Sequence, residues 1–507
     1  MTFRPEKKAL TSSQLLTTLS SQKNVTTEIN LPDYCSEIKR ILKCTIIPWI
    51  SSVSVSGESI RTNISADIRL IYLGEKDKID CFEVHQDISV NTACKNIPSE
   101  VIISPAAKTN YVNCRATSQR RISVEGNISV ICDIYSGNTA EIFVGCEGMG
   151  VQTKKENISC ERLICQREKL FDLGETAQVP DDKGAVGKIL RTYAWAVVDS
   201  KKAVSDKLLI KGQLYTQVLY LVDGDEGRIS LMNHSMPISQ IIDLTGIDEN
   251  TDCRVRLNVR CLNVQRKSDA DSKGSLLEIG AKVGALCICT AKEEISTVTD
   301  CYSTDYEIKQ EYAAEEFLSL VHSINQQKTL KHTLEIPSGD ISKVTDIWCS
   351  DVTATMTGKG DSARAECSLT LCILYLDSKS VANYTEKNVD FTFDVRLKES
   401  FKDLRCDICC QVRSIDFTVS GKDKIDIRAE NGISAEVYSV SSRRIVKDIE
   451  LLDKKSSDDD TALILYFPMA GEKLWDIARR YGTTAEAIRL ENNIDGDAIT
   501  TQEMILI

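Results

Sequence analysis

The stretch LIKGQLYTQVLYL, residues 209–221, decides the reading of the fold. Counting back by twos from Tyr220 gives Val218, Thr216 and Leu214, while the residues between include Gln217, Tyr215 and Gln213. One face is apolar and the other polar. Alternation with a period of two marks a β-strand covered on one side only. Lys211 and Gly212 stand near its start, and an apolar-apolar-Tyr-Leu tetrad closes it.

The pattern recurs. RTNISADIRLIYL (61–73) and RAECSLTLCILYL (364–376) end in the same tetrad, so Tyr72, Tyr220 and Tyr375 correspond, 148 and 155 residues apart. The apolar faces are Leu70, Ile68 and Ala66 in the first copy and Ile373, Leu371 and Leu369 in the third. A proline-bearing segment precedes each strand and aligns Pro32, Pro180 and Pro337. A third anchor follows each: RRISVEGNISVICDIYS, SLLEIGAKVGALCICTA and KIDIRAENGISAEVYSV. Three anchors in one order at nearly one spacing identify a triplicated unit. Antiparallel sheets bury one face and wet the other. Gly126, Gly284 and Gly432, in mid-strand, signal a bulge or bend.

The expected fold is therefore mainly β, with three repeated β-sandwich-like units at 29–170, 171–312 and 333–452. The compositions of 223–227 and 420–424 suit hairpin loops. GCEGMG (145–150) follows no β-α pattern and reads as a loop. Two stretches read as helices: SSQLLTTLSSQ within the lead 1–28, and EEFLSLVHSINQQ (315–327) within a linker at 313–332.

A chain of 507 residues is too long for one hydrophobic core. Its net charge of −12 argues against nucleic acid, which demands a cationic face. The start has no apolar signal-peptide core, and no run approaches the ~18 apolar residues of a transmembrane helix. A cytoplasmic protein is expected, and its 20 cysteines are then reduced thiols. Cys287 and Cys289 alternate with apolar residues, as small buried hydrophobes do. Cys406, Cys409 and Cys410 contain one CxxC without a second pair or a nearby histidine, so they read as strand residues rather than a zinc site. His85, His234, His322 and His332 have no companion at metal spacing, and no phosphate loop or nucleophile elbow is present. The expectation is a non-enzyme with no catalytic residues, metal or cofactor.

Composition changes after 452. An acidic linker (453–461) leads to a segment at 462–507 that reads as β-α-α-β. ALILYF alternates as a strand. Leu474, Ile477, Ala478 and Tyr481 lie at helical spacing, and Gly482 suits a helix end. Thr484 suits an N-cap for a second helix with Ala487, Ile488 and Leu490 as its apolar positions, and MILI closes as a strand.

This segment resembles the LysM family. The Gly-Asp-Thr-Leu-Trp signature stands as Gly471, Glu472, Lys473, Leu474 and Trp475, and the Ile-Ala-x-x-Tyr-Gly-Thr/Thr stretch runs from Ile477 to Thr484. Leu-x-x-x-Asn becomes Ile488 to Asn492, followed by Asn493, and Pro-Gly-Gln becomes Thr500, Thr501 and Gln502. The resemblance implies a groove for N-acetylglucosamine polymers between the loop after the first strand and the loop after the second helix. Gly471, Glu472, Lys473, Trp475 and Asn493 are the groove residues it implies for a glycan or a partner.

The whole arrangement resembles the SipL family of spore-coat morphogenetic proteins, whose repeated unit is the SPOCS domain. Its KGxLxxxxLY pattern stands at Lys211, Gly212, Gln213 and Leu214 through Leu219 and Tyr220; the other copies have Asn63–Ile64 and Glu366–Cys367 instead of Lys–Gly. The resemblance implies a cytoplasmic protein on the mother-cell side of the forespore, later in the coat. It implies a LysM domain that binds stage IV sporulation protein A, the ATPase that polymerises around the forespore. Peptidoglycan is the alternative ligand, in a wall or cortex protein.

Overall fold

The computed structural model describes residues 4–95, 97–98, 101–224, 228–267, 276–336, 340–455, 464–469, 471–497, 499 and 504–507. Pro337, residues 225–227 of the hairpin composition, 456–461 of the acidic linker, Ala462 and Leu463, and Thr500, Thr501 and Gln502 lie outside the described residues.

The first unit contains β1 (Arg4–Asn30), β2 (Arg40–Ser56), β3 (Ser59–Leu73), β4 (Ile79–Ala93), β5 (Ile102–Ser118) and β6 (Arg121–Glu147). Two three-stranded antiparallel sheets, β2-β3-β4 and β1-β6-β5, face each other. Their core holds Ile64, Ile68 and Leu70 from β3 against Ile122, Val124, Ile128 and Val130 from β6, so the alternating residues point inward as expected. The second unit repeats this with β7 (Val151–Gln178), β8 (Val186–Val204), β9 (Lys207–Val222), β10 (Ile229–Asp243), β11 (Asp252–Arg266) and β12 (Leu276–Ser303). Its sheets are β10-β9-β8 and β11-β12-β7.

The third unit has β13 (Tyr306–Glu335), β14 (Lys343–Leu376), β15 (Ala382–Phe401), β16 (Leu404–Ser420) and β17 (Lys424–Lys454). Sheet β13-β17-β16 matches its counterparts. β14 doubles back on itself: Gly360 takes a φ of +67°, and Ser350 Oγ donates to Thr370 O across the fold at 3.3 Å. β14 thus does the work of two strands beside β15.

Both expected helices are strands. Residues 12–22 belong to β1, paired along its length with β6, and 315–327 belong to β13, paired with β17. Serines and threonines favour helix weakly, and in 315–327 the ladder to β17 overrides an i, i+3 spacing of apolar residues. The division also shifts: the boundaries at 170/171 and 312/313 fall inside unbroken β7 and β13. Each unit instead opens on a long strand that pairs with its own last strand. Only residues 148–150 separate β6 from β7, and only Thr304 and Asp305 separate β12 from β13.

The three mid-strand glycines do accompany bulges, but the extra residue lies in the neighbouring strand. Register shifts fall at Thr109/Tyr111, Val259/Cys261 and Val412/Ser414, beside Gly126, Gly284 and Gly432. In two units the bulged residue is an arginine that reaches over the glycine: a Cβ on Gly284 would lie 3.2 Å from Arg260 Nε, and one on Gly432 2.5 Å from Arg413 Nε.

The tetrads answer for how the units pack. Tyr72 and Tyr220 turn into their own sandwiches; Tyr72 donates to Ser36 O at 3.1 Å and Tyr220 to Gly184 O at 3.2 Å. The opposite face is not wet. Ile71 and Leu73 of the first unit meet Leu190 and Leu219 of the second and Ala382 of the third. Cover on one side only therefore fails at the strand ends, which lie between two cores. A second shared core forms where β6, β12 and β17 run on together. Ile142, Ile295 and Ile445 cluster there, followed by Phe143, Val298 and Val446, one residue from each unit. Polar links add register: the buried pair Arg191–Asp346 spans 2.9 Å between units two and three, and Lys188 binds Asp80 between units one and two. A buried pair contributes more to specificity of docking than to net stability.

Candidate functional site

The C-terminal segment forms β18 (Leu465–Tyr466), α1 (Leu474–Tyr481), α2 (Ala485–Asn492) and β19 (Ile505–Leu506), the expected order. Gly482 ends α1 in the left-handed region at a φ of +67°, and the Thr484 hydroxyl accepts the Ala487 N–H at 3.1 Å. Both caps satisfy backbone groups that a short helix leaves orphaned. Leu474, Ile477, Ala478, Ile488, Ile499 and Ile505 make the small core. Three expected apolar positions lie outside it: Tyr481 rests edge-on against Tyr466 at the surface, Leu490 is exposed, and Ala487 is only half-buried.

The five groove residues separate. Gly471 has a φ of +89°, and its N–H donates to Ile499 O at 2.8 Å. Ile499 N–H returns to Glu472 O at 2.9 Å, and Leu474 N–H reaches Asp497 O at 3.0 Å. The two loops that should flank a groove are thus laced together. The Glu472 carboxylate turns inward, accepting from Tyr466 OH at 2.9 Å and from Met469 N–H at 3.2 Å, with Arg480 3.4 Å away. Lys473 is exposed at the N-cap of α1. Asn493 closes α2 with a φ of +53°, its N–H bonded to Arg489 O.

Trp475 faces the body of the protein. Its Nε1–H donates to Asp300 Oδ2 at 2.8 Å, and its ring meets Tyr302 edge-on at 4.9 Å. Arg479 Nη1 lies 2.9 Å from Asp300 Oδ2, and Tyr302 OH donates to Thr483 O at 2.8 Å. Tyr302 even joins the core of the small domain. The domain is therefore seated on the end of β12. Burial pushes the Tyr302 phenol up to about 12, with Asp300 adding to the rise. Asp300, Tyr302 and Arg479 were not marked by sequence, because a single carboxylate at long range carries no local pattern.

The seat can be tested. A hydrogen bond to a charged group contributes roughly 1.5–3 kcal/mol, and the half-exposed Arg479 adds little. Asp300→Ala should raise exchange of the Trp475 indole N–H about tenfold, the equivalent of ~1.4 kcal/mol. Unchanged exchange measured by NMR would mean that the seat depends on Tyr302 alone.

On the open side, the β18–β19 ribbon presents apolar residues. Leu465 pairs with Leu506, while Tyr466 and Ile505 face the helices. Leu465, Phe467, Met469 and Met504 are 48%, 70%, 78% and 50% exposed. Between β12, β13 and α1 lies a cleft of about 410 Å³ lined by Tyr306, Tyr481, Arg479, Arg480 and Lys455.

Residues 185–267, which run from β8 to β11, match the family model described as SipL, SPOCS domain, and residues 470–507 match the LysM domain model. The chain is SipL-like. No curated protein and no solved structure matches it. The two domain types of this SipL-like chain fit a coat-associated sporulation protein with a module of the wall-binding kind, and both are non-catalytic families. Among the described residues no helix is long and apolar enough to cross a membrane. Cys406, Cys409 and Cys410 lie on β16, and among the described residues no cluster of metal-binding side chains occurs.

Proposed function

We propose that the protein is a non-catalytic adaptor of spore-coat morphogenesis. Its LysM domain binds a protein, the stage IV sporulation protein A type of ATPase at the base of the coat, and so helps to localise the coat around the forespore on the mother-cell side. The observation that carries this reading is the fate of the groove. Glu472 is consumed by Tyr466 and Arg480, Trp475 by Asp300, and the loops are laced at Ile499, while the apolar ribbon face stays open. A glycan site offers polar groups and open aromatic faces; a protein site offers apolar anchors at its centre. Lys473, exposed at the start of α1, suits an acidic patch on the partner. Many copies on a polymer add avidity to a modest single contact.

The cleft with Tyr306 and Tyr481 favours a second reading, in which the protein binds peptidoglycan or N-acetylglucosamine in a wall or cortex. The full chain should be tested for co-sedimentation with insoluble peptidoglycan and, separately, with the purified ATPase. The adaptor reading expects ATPase binding that Phe467→Asp weakens at least tenfold and Lys473→Glu weakens less. Peptidoglycan binding that survives Phe467→Asp, without ATPase binding, overturns it.

A further inference from the structure

The second unit places three thiols in one row. Cys289 lies on β12, the central strand of its sheet; Cys253 on β11 faces it in one ladder and Cys165 on β7 faces it in the other. Cys289 Sγ and Cys253 Sγ are 2.7 Å apart. Cys289 also lies within hydrogen-bonding reach of Cys165, so both neighbours sit against the same thiol. Cys253 and Cys289 are buried, and Cys165 is half-exposed. At the far end, a cleft of about 340 Å³ reaches Cys253 between Lys201, Lys202, Glu249 and Asp252. Cys287, two residues along β12, faces Val255 and Arg167 and stands outside the row.

We propose that Cys165, Cys289 and Cys253 form an oxidisable row in which every disulfide contains Cys289. Residues directly opposite in an antiparallel ladder have Cα atoms ~4.5–5.5 Å apart, within the ~4.4–6.8 Å that a disulfide spans. Cys165 and Cys253 are two strands apart, about 9.5 Å at the usual ~4.8 Å spacing, and cannot be joined.

The oxidant is a small-molecule disulfide. The Cys165 thiolate attacks one of its sulfurs, and one small thiolate leaves. The bond from Cys289 lowers the Cys165 thiol, and lowers Cys253 likewise, so the half-exposed member of the row is also the readier nucleophile. Cys289, losing its proton to the departing thiolate, attacks Cys165 Sγ and releases the second small thiol. The bridge Cys165–Cys289 now stands beside Cys253, whose thiolate can attack Cys289 Sγ and free Cys165. In sum, two protein thiols lose two electrons and two protons, and the small disulfide becomes two thiols. The bridge fastens an edge strand, β7 or β11, to β12 once the chain meets oxidising conditions; a reducing compartment keeps the row open.

The test uses the full-length chain, reduced, desalted and incubated with oxidised glutathione. Free thiols are then blocked, and the protein is digested without reductant for mass spectrometry. Cross-linked peptides should join Cys289 to Cys165 and Cys289 to Cys253, and none should join Cys165 to Cys253. With Cys289→Ala, glutathione should remain on Cys165 and both cross-links should vanish. A Cys165–Cys253 link in either protein overturns the proposal. So does wild-type protein whose Cys289 is recovered blocked while Cys165 keeps glutathione.

Discussion

Phe143→Ala should lower the free energy of unfolding by about 4 kcal/mol, within the ~3–5 kcal/mol lost when a buried phenylalanine is truncated. The ring is fully buried and packs on Val298 and Cys301 from the second unit and Val446 and Ile449 from the third. Its own carbonyl accepts from Thr297 Oγ1 at 3.4 Å. The cavity would therefore open between units rather than within one. In guanidinium titrations the unaltered protein should unfold in a single step by fluorescence and by circular dichroism, because shared cores couple the units. The variant should show a lower midpoint and two probes that no longer coincide. A midpoint within the error of wild type would mean that the long strands contribute nothing to cohesion.

The second large effect concerns the Lys–Gly pair of the second unit. A glycine replaced by alanine usually stabilises slightly, by ~0.4–1 kcal/mol, through the unfolded chain. Gly212→Ala should do the reverse and cost about 3 kcal/mol, as overpacking against rigid atoms does. A Cβ there would lie 2.2 Å from Val197 O, a backbone atom on the neighbouring strand that can move only with its ladder. The control is Gly280→Ala on β12, where a Cβ meets nothing within 4 Å and the ordinary small gain is expected. Thermal melts of the two variants should shift in opposite directions. A shift of equal sign would mean that close approach is not why glycine stands at 212.

Much of the repeat was legible because its signals are local. Alternation about Tyr220 and around Gly126 needs only a few neighbouring residues, and the inward faces of both strands fall where that alternation puts them. Stretches of β1 and β13 read locally as helix because their partners are remote: β1 finds β6 only after four other strands have formed. The outer residues of the tetrads carry a signal of their own, since Ile71 and Leu73 are apolar on a face that alternation alone would leave wet. In the small domain the caps at Gly482 and Thr484 were legible for the same local reason. The groove was not. Glu472 and Trp475 match the family positions in type or place, yet their partners are set by tertiary folding, Trp475's across the body at Asp300. Leu465 and Phe467 alternate with Tyr466, so the outer apolar face could have been read from ALILYF alone.

The pairing of first strand with last sets the order in which the protein can be made. Translation delivers β1 early, as 27 residues of bare backbone edge, and its ladder waits until Arg121–Glu147 has left the ribosome. The same delay recurs for β7 and β13. Non-local pairing of this kind slows folding and leaves strand edges open while the chain grows. Three such strands, similar in sequence role, wait in turn for closing partners of one design. The failure this order favours is exchange between nascent chains, in which the opening strand of one molecule completes the sheet of another.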